Sequence, residues 1–310
     1  MTIQANINQA VLLLRSGDVI GFPTETVYGL GADASNPIAV RRIFALKGRP
    51  VNHPLIVHVQ NREEAESWAV FNQMAIEIAD RYWPGPLTLI LPKRKHVLDE
   101  VTGGLDTVGL RCPSHPKAQS LLKAFGSGIA APSANRFGRI SPTSAKHVSS
   151  EFGPDLFVLN GGPSKIGIES TIIDLCDDKP AVLRPGYVTN SEIERQWGPL
   201  GHSDRSAPGT LKAHYAPKTS LLLSQNPKED CQTLEARGLK VAMMEARPVA
   251  DYARDLYGEL RRMDQSDVDI LVVEMAENEG VGIAVNDRLK RAATGSPHEL
   301  EEIDVSKDNA

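Results

Sequence analysis

Hydrophobic residues near the start of the chain recur at helical spacing, and those that follow come in short runs. Ile7 and Leu14 fall on one face of a helix that Gly17 ends. Residues 19–22 and 55–59 are apolar, rich in β-branched side chains and bounded by Pro or Gly, which is typical of short buried strands. The chain therefore begins as an alternation of helices and short strands.

The segment between these two strands holds a dense group of polar and basic side chains. Asn36-Pro37 predicts a helix start, because Asn caps helices and Pro suits the first helical position, and this helix ends at Lys47. The predicted order is strand, Gly-rich loop, helix, basic turn, strand. It can bring Thr26, Arg49 and His58 to one rim of a sheet, where open α/β folds usually bind ligands. From this segment alone, a plain βαβ unit with solvated polar residues stays open.

The residues up to 200 predict many short strands and few long helices. Apolar runs predict strands at 87–91, 129–131, 156–159 and 172–175, and the loop-rich segment around residues 101–113 leaves room for a further strand at 107–111. Periodicity predicts helices at 72–82 and 115–125, and Ser191 is expected to cap a short helix that reaches Trp197. This pattern favours an α/β fold with a twisted mixed sheet over a regular doubly wound one.

The last third of the chain has a different organisation. Residues 198–219 lack periodicity and are rich in Gly, Pro and Ser, as in a linker. Strands at 220–223, 240–244 and 269–274 then alternate with helices near 228–237, 249–263 and 281–293, which predicts a small three-layer, Rossmann-like α/β domain with a parallel sheet. The predicted division is a domain over 1–200, a linker over 201–219 and a second domain over 220–310.

Charge is unevenly distributed along the 310 residues, whose formal net charge is −5. Residues 1–200 carry a net charge of +1 and residues 201–310 a net charge of −6. No basic run or basic helix face stands out. Tight binding of a nucleic-acid duplex as the main activity is therefore disfavoured, and any RNA contact is expected to be weak or indirect.

Cysteine content and hydropathy indicate the cellular compartment in which the protein is expected. Cys112, Cys176 and Cys231 lie far apart and form no CxxC pair, so neither a zinc site nor a disulfide framework is expected. No apolar run approaches the roughly 20 residues that span a bilayer. The first residues lack a basic leader and a small-residue cleavage site. A cytoplasmic protein without a membrane partner is the expectation.

Two polar groups suggest a ligand site. A strand through residues 107–111 places Thr107 and Arg111 on the same face, and Arg suits a carboxylate because it offers two parallel donors. After the strand at 129–131, the hydroxyl and amide groups of Ser133, Asn135 and Ser141 suit a phosphate. Local grounds leave Ser141 open between a ligand role and the cap of the following helix. Because GxxxxGK[ST] and strand-linked GxGxxG motifs are both lacking, ATP would require another scaffold.

Several spaced motifs in this order resemble one known family. PTETVYGLG, KGRP followed by HPLIVH, APSAN, IESTIID and finally HYAPK are similar to motifs of the threonylcarbamoyl-AMP synthases, which carry a YrdC-like domain. The resemblance covers nearly the whole chain and fits the longer, two-domain members. It implies a YrdC-like fold in the first domain and a nucleotidyltransferase that joins L-threonine, bicarbonate or CO2 and ATP into threonylcarbamoyl-AMP, with release of pyrophosphate.

The resemblance also implies roles for individual residues. Lys47 and Arg49 would act in catalysis through their charge near the phosphates. L-Threonine would contact Thr26, His58, Arg111, Ala131 and Ser170. ATP would contact Arg49, His53, Thr107, Ser133, Asn135, Ser141, Arg184 and Tyr215. Members of the family often have Asn where this chain has His53, so the role of His53 is less securely implied.

Further implications concern cofactors, partners and the linker. Mg²⁺ would enter with ATP, no other metal is implied, and the product would pass to the machinery that threonylcarbamoylates transfer RNA. The segment from His214 to Lys218 would form a lid over the nucleotide, with an inert tether as the alternative. Two other functions stay open, namely the carbamoyl-AMP chemistry of hydrogenase-maturation proteins and non-enzymatic binding of structured RNA.

Overall fold

A computed structural model describes residues 3–297, with side chains from residue 6 onward. The described chain forms two compact units, one of residues 3–137 and 141–210, the other of residues 138–140 and 211–297. The predicted outer limits at residues 1 and 310 lie outside the described residues. Within the described part, no helix is long and apolar enough to cross a membrane.

The first unit is built on a mixed eight-stranded sheet with the order β1-β2-β6-β3-β5-β4-β7-β8. Its strands are β1 (Ile20–Phe22), β2 (Gly29–Asp33), β3 (Ile56–His58), β4 (Leu87–Pro92), β5 (Thr107–Arg111), β6 (Ile129–Ala131), β7 (Thr171–Asp174) and β8 (Ala181–Arg184). The β3–β5 and β4–β7 pairs are parallel, and the other neighbours are antiparallel. The predicted mixed α/β sheet is confirmed.

Helices cover both faces of this sheet. They are α1 (Ile3–Arg15), α2 (Pro37–Lys47), α3 (Arg62–Ala65), α4 (Gln73–Tyr82), α5 (Asp99–Thr102), α6 (Pro116–Phe125), α7 (Ala145–Phe152) and α8 (Asn190–Trp197). One apolar cluster joins α1 and α6 to β1 and β6, and a larger one joins α2, α4, α7 and α8 to the sheet. Side chains alternate along a strand, so Val57, Val108 and Leu110 enter the larger cluster while His58 and Arg111 point to the opposite face.

The helix before the basic turn forms as its sequence predicts. The side chain of Asn36 accepts hydrogen bonds from the backbone N–H groups of Ile38 and Ala39, and Pro37 opens α2. Gly48 ends the helix at φ +64°, in the left-handed region that glycine adopts without strain. Lys47 and Arg49 are thus held at a sharply defined helix end.

Four local predictions are corrected by the structure. Residues 29–33, expected as loop, form β2, and residues 156–159, expected as a strand, form only an isolated bridge between Gly21 and Val158. Helix α8 is capped by Thr189, which forms a capping box with Glu192, and not by Ser191. Helix α7 is capped by Ser144, which removes the capping role considered for Ser141.

The second unit is a small parallel α/β layer structure. Its elements are β9 (Ser220–Ser224), α9 (Pro227–Ala236), β10 (Val241–Met244), α10 (Val249–Asp264), β11 (Ile270–Glu274) and α11 (Gly282–Gly295). The strand order is β10-β11-β9. Both pairs are parallel, which confirms the predicted parallel sheet. Buried residues of β11 and α9, among them Ile270, Val272 and Leu234, form its apolar cluster.

Candidate functional site

The register of three central strands brings predicted site residues together. His58 of β3 lies opposite Arg111 of β5, and Ile56 of β3 lies opposite Ala131 of β6. Thr107 begins β5 and is buried, four residues before Arg111 and therefore on the same face. The expected placement of Thr107 and Arg111 on one face of a strand is confirmed.

Arg111 is paired with a carboxylate. Its Nη2 donates to Oε1 of Glu25 over 2.6 Å, and both side chains are about 5% exposed (5% and 6%). The second oxygen of Glu25 accepts the backbone N–H of Ser114 at 3.0 Å. Arg111 Nε makes a longer contact of 3.4 Å with the carbonyl of Gly85. A buried guanidinium thus lies at the site with its charge balanced by the protein.

His58 is neutral at this position. Burial, and then the positive charge of Arg111, lower the pKa of His58 to about 3. Its ring packs edge-on against Phe22 with centroids 5.5 Å apart, and its Nδ1 is buried without a hydrogen-bond partner among the described residues. A neutral imidazole next to a guanidinium offers a weakly polar wall rather than a second positive charge.

Thr24 and Thr26 shape the loop that follows β1. The Oγ1 of Thr24 accepts the backbone N–H groups of Thr26 and Val27 at 3.2 Å each. The two hydroxyl groups lie 2.9 Å apart, and neither residue is more than 2% exposed. The loop is therefore held by its own hydroxyl groups beside Glu25.

Lys47 is buried at the end of α2. Its Nζ donates to the backbone carbonyl of Ser133 over 2.6 Å and to that of Asn135. Burial, and then the neighbouring charge of Arg49, lower the pKa of Lys47 well below its usual value. Lys47 thus fixes the loop that contains Ser133 and Asn135, two of the residues predicted to bind ATP.

Arg49 and His53 lie on the turn after α2. Arg49 Nη2 donates to the carbonyl of Pro54 at 3.0 Å, and its guanidinium carbon is 5.9 Å from the ring centroid of Phe137. The His53 ring lies 5.5 Å from the same phenyl ring. Burial and the charge of Arg49 lower the pKa of His53. Both residues therefore lie against the loop that Lys47 holds.

The start of β7 contributes a second polar group. The Ser170 and Thr88 hydroxyls are 2.8 Å apart, and Arg184 of β8 donates through Nη2 to the carbonyl of Ser170 at 2.8 Å. Ser141 Oγ donates to Oε1 of Glu169 at 2.6 Å. Ser170, Arg184 and Ser141 are all buried, and their predicted ligand roles stay predictions.

The predicted lid residue belongs to the second unit, unlike every other predicted site residue. Tyr215 is 1% exposed, stacks on Tyr257 of α10 with centroids 5.7 Å apart, and has Arg288 5.5 Å from its ring centroid. Its φ is +63°, and among the described residues it is the one non-glycine residue with positive φ. Its predicted contact with the nucleotide stays a prediction.

Glu25 and Glu169 are the site residues that sequence reasoning missed. Both are acidic residues inside quoted motifs, PTET and IEST, and both are buried against predicted ligand residues. A site for anions is predicted from cations and hydroxyl groups, and such a prediction does not include acids in the same motifs. An acid embedded in an apolar, hydroxyl-rich motif was the available signal, because buried carboxylates require a partner.

Among the described residues, no three His, Cys, Asp or Glu side chains are clustered as a metal site requires. Mg²⁺ bound to a nucleotide needs few protein ligands, because phosphate oxygens and waters supply most of its coordination. Mg²⁺ that arrives with ATP stays a prediction.

Comparisons with known proteins cover nearly the whole chain. A family profile described as telomere recombination matches residues 12–186, and one described as threonylcarbamoyl-AMP synthase, C-terminal domain, matches residues 182–294. Threonylcarbamoyl-AMP synthase of Pyrococcus abyssi is 39% identical and aligns with 94% of this chain and 98% of its own length. Its counterpart from Bacillus subtilis is 39% identical, over 95% of this chain and 94% of its own length.

A solved structure matches the fold of the chain. A P. abyssi protein crystallised with L-threonine superposes with a TM-score of 0.88 and 38% identity, covering 94% of this chain and 96% of its own. At this identity and coverage the likeness concerns both units of the chain and not only the YrdC-like part.

Proposed function

The chain belongs to the threonylcarbamoyl-AMP synthase family, and from this premise we propose how its buried polar groups divide between the substrates. The protein is an enzyme of the nucleotidyltransferase type that forms threonylcarbamoyl-AMP, and L-threonine is a substrate. What remains to be assigned is which side chains bind threonine, which bind ATP, and how the reaction is promoted.

The proposed reaction needs positioning more than covalent catalysis. The threonine amine bonds to CO2 and loses a proton, which gives a carbamate. A carbamate oxygen then attacks the α-phosphorus of ATP. The bond between this phosphorus and the oxygen that bridges to the β-phosphate breaks, and pyrophosphate leaves. Charge on the phosphates must be neutralised during this step, and Mg²⁺ supplies part of that neutralisation when bound with ATP.

The threonine subsite is proposed at the meeting of β3 and β5. The observation that carries it is the register that sets the neutral His58 beside Arg111 on one buried face. Arg111 would bind the threonine carboxylate, and the rest of the subsite would be completed by Thr26, Ala131 and Ser170. A neutral His58 leaves Arg111 as the main anion anchor on these two strands.

The ATP subsite is proposed along the loop that Lys47 holds. Lys47 and Arg49 would place positive charge near the phosphates, with hydrogen bonds from Ser133, Asn135, Ser141, Thr107 and Arg184 and a flanking contact from His53. Two buried basic groups at the end of α2 support this assignment, because their positive charge would offset the negative charge of the ATP phosphates. Tyr215 is proposed as a nucleotide contact on the family resemblance.

The test of this division compares the two ligands in one variant. Arg111→Ala should weaken threonine binding by about 2–4 kcal/mol, as expected for a lost charged hydrogen bond, while ATP binding changes little. Arg111→Lys serves as a milder variant, because it keeps a charge beside Glu25 but loses the paired donors. Calorimetry that gives equal losses for threonine and ATP would contradict the assignment.

The phosphate side is tested separately. Arg49→Ala should reduce threonine- and ATP-dependent pyrophosphate release while threonine still binds. Normal pyrophosphate release in this variant would remove Arg49 from the proposed subsite.

Partners beyond the substrates are proposals of the same kind. We propose bicarbonate as the source of CO2 and the transfer-RNA threonylcarbamoyl-transferase machinery as the recipient of the product, in the cytoplasm. Replacing threonine by carbamoyl phosphate in the pyrophosphate assay distinguishes this reaction from carbamoyl-AMP chemistry, and strict dependence on threonine is expected.

A further inference from the structure

The guanidinium of Arg111 is fixed on two of its sides before any ligand arrives. Nη2 is held by Glu25 at 2.6 Å and Nε lies 3.4 Å from the Gly85 carbonyl. Among the described residues, Nη1 makes no hydrogen bond, although the side chain is only 4% exposed. One end of the guanidinium is therefore committed to the protein, and the other keeps its donors.

Glu25 is itself fixed from a separate segment of the chain. Its Oε2 accepts the backbone N–H of Ser114, which follows β5, while Glu25 lies on the loop after β1. The carboxylate is therefore oriented by a backbone group that cannot rotate away. A chain of contacts runs from the Ser114 amide through Glu25 to Arg111, with each step 3.0 Å or shorter.

We propose that Glu25 is a positioning residue for threonine, holding Arg111 so that Nη1 meets the substrate carboxylate. The proposal rests on the assignment of Arg111 as the threonine anchor. An arginine loses much side-chain freedom when it binds, and a residue that removes this freedom in advance lowers the entropy cost of binding.

The opposite role makes an opposite prediction. If Glu25 only occupied the guanidinium when threonine is absent, it would compete with the substrate carboxylate, and removing its charge would tighten threonine binding. If Glu25 positions Arg111, removing the charge weakens threonine binding. The sign of the change therefore separates the two roles, and a purely structural role would affect threonine and ATP alike.

The experiment measures threonine and ATP binding by calorimetry on the full chain. Glu25→Gln keeps the size of the side chain and removes its charge, and we expect its Kd for threonine to rise at least tenfold while its Kd for ATP stays within twofold. Glu25→Asp keeps the charge and should recover part of the loss. Tighter or unchanged threonine binding by a folded Glu25→Gln variant would overturn the proposal.

A matched control lies elsewhere in the same unit. Asp174 at the far end of β7 is also buried and pairs with Arg205 over 2.8 Å. Asp174→Asn makes the same carboxylate-to-amide change and should leave both affinities unchanged whatever it does to the melting temperature. If Asp174→Asn weakens threonine as much as Glu25→Gln does, the effect is one of stability, and the proposal fails.

A second pair of variants covers the case in which Glu25→Gln does not fold. Ser114→Pro removes the N–H that orients Glu25, together with the Ser114 hydroxyl, and fixes φ, whereas Ser114→Ala removes the hydroxyl and keeps the N–H. We expect weaker threonine binding, by threefold or more, in the proline variant alone, and equal affinities in the two would overturn the proposal. Normal threonine binding by Arg111→Ala would instead refute the assignment of Arg111, so the two failures are distinguishable.

Discussion

Lys47 occupies a position where a positive charge is costly. Its ammonium group is buried beside Arg49, and burial is the main reason that its pKa lies well below the usual value. Two backbone carbonyls, those of Ser133 and Asn135, accept its hydrogen bonds and offset part of this cost. The residue therefore has a structural task in the loop besides any task toward a phosphate.

Removal of this amine should have two measurable effects. Lys47→Met leaves two carbonyls without a donor, so we expect the free energy of unfolding to fall by about 1–3 kcal/mol and pyrophosphate release to fall strongly. Urea unfolding and a pyrophosphate assay measure the two. Lys123→Met, at an exposed position in the last turn of α6, is the control and should change neither. Full activity of the Lys47 variant would exclude a role near the phosphates.

His58 makes the stability of the molecule sensitive to acid, and comparison of wild type with a His58 variant isolates this effect. Its pKa is about 3 in the folded chain against an ordinary 6.5, so between these pH values the unfolded chain binds a proton that the folded chain does not. Stability from this group is therefore complete above pH 6.5 and decreases as the pH falls toward 3. From pH 7 to pH 5, wild type should lose about 2 kcal/mol more than His58→Gln. Urea unfolding at both pH values measures this, and parallel losses would contradict the prediction.

At the scale of elements, β2 shows why a Gly-rich segment can form a strand. Glycine disfavours strands on average, yet here the ring of Phe22 lies across β2 and leaves no room for side chains. A Cβ at Gly29 would lie 2.7 Å from Phe22 Cε1, and one at Gly31 would lie 2.8 Å from Ile129 Cγ2. The glycines reflect a tertiary contact, which local sequence patterns do not contain.

Two glycine substitutions should therefore change the free energy of unfolding in opposite directions. Gly31→Ala should destabilise the chain by about 1–3 kcal/mol through overpacking against Phe22 and Ile129. Gly258→Ala lies in the interior of α10, where an added Cβ meets nothing within 4 Å, and should stabilise by up to about 1 kcal/mol. Thermal unfolding of both variants measures this. A Gly31 variant as stable as wild type would refute the packing argument.

Elements with local causes were predictable, and those with distant causes were not. Asn36 and Pro37 determine the start of α2 by themselves, and apolar runs indicate β3, β4 and all three strands of the second unit. The run at 156–159 has the composition of a strand but finds only one bridging partner, Gly21. In the site, Arg111 was accessible from its motif, whereas its pairing with Glu25 depends on two segments 86 residues apart.

At the scale of the whole molecule, the segment that connects the two units changes from exposed to buried within a few residues. Lys212 is exposed, whereas residues 214–217 are buried in the second unit. Lys218 is exposed as well, but its backbone N–H and that of Thr219 donate to Asp264. Trypsin should therefore cut the free chain after Lys212 before it cuts elsewhere in 198–219. If the segment closes over a nucleotide, ATP with threonine should slow this cut at least fivefold. Mass spectrometry of a time course measures it, and equal rates with and without ligands would leave the segment a tether.

The strand order of the large sheet also bears on how the chain is made. Strand β6 must enter between β2 and β3, although it follows β2 by about a hundred residues and β3 by about seventy. Contacts between segments so far apart in sequence form slowly during folding. During synthesis, the β1–β2 hairpin and β3 therefore wait with unpaired edges until residue 131 has left the ribosome. Nascent chains shorter than this are the ones on which a chaperone that shields strand edges has most to act.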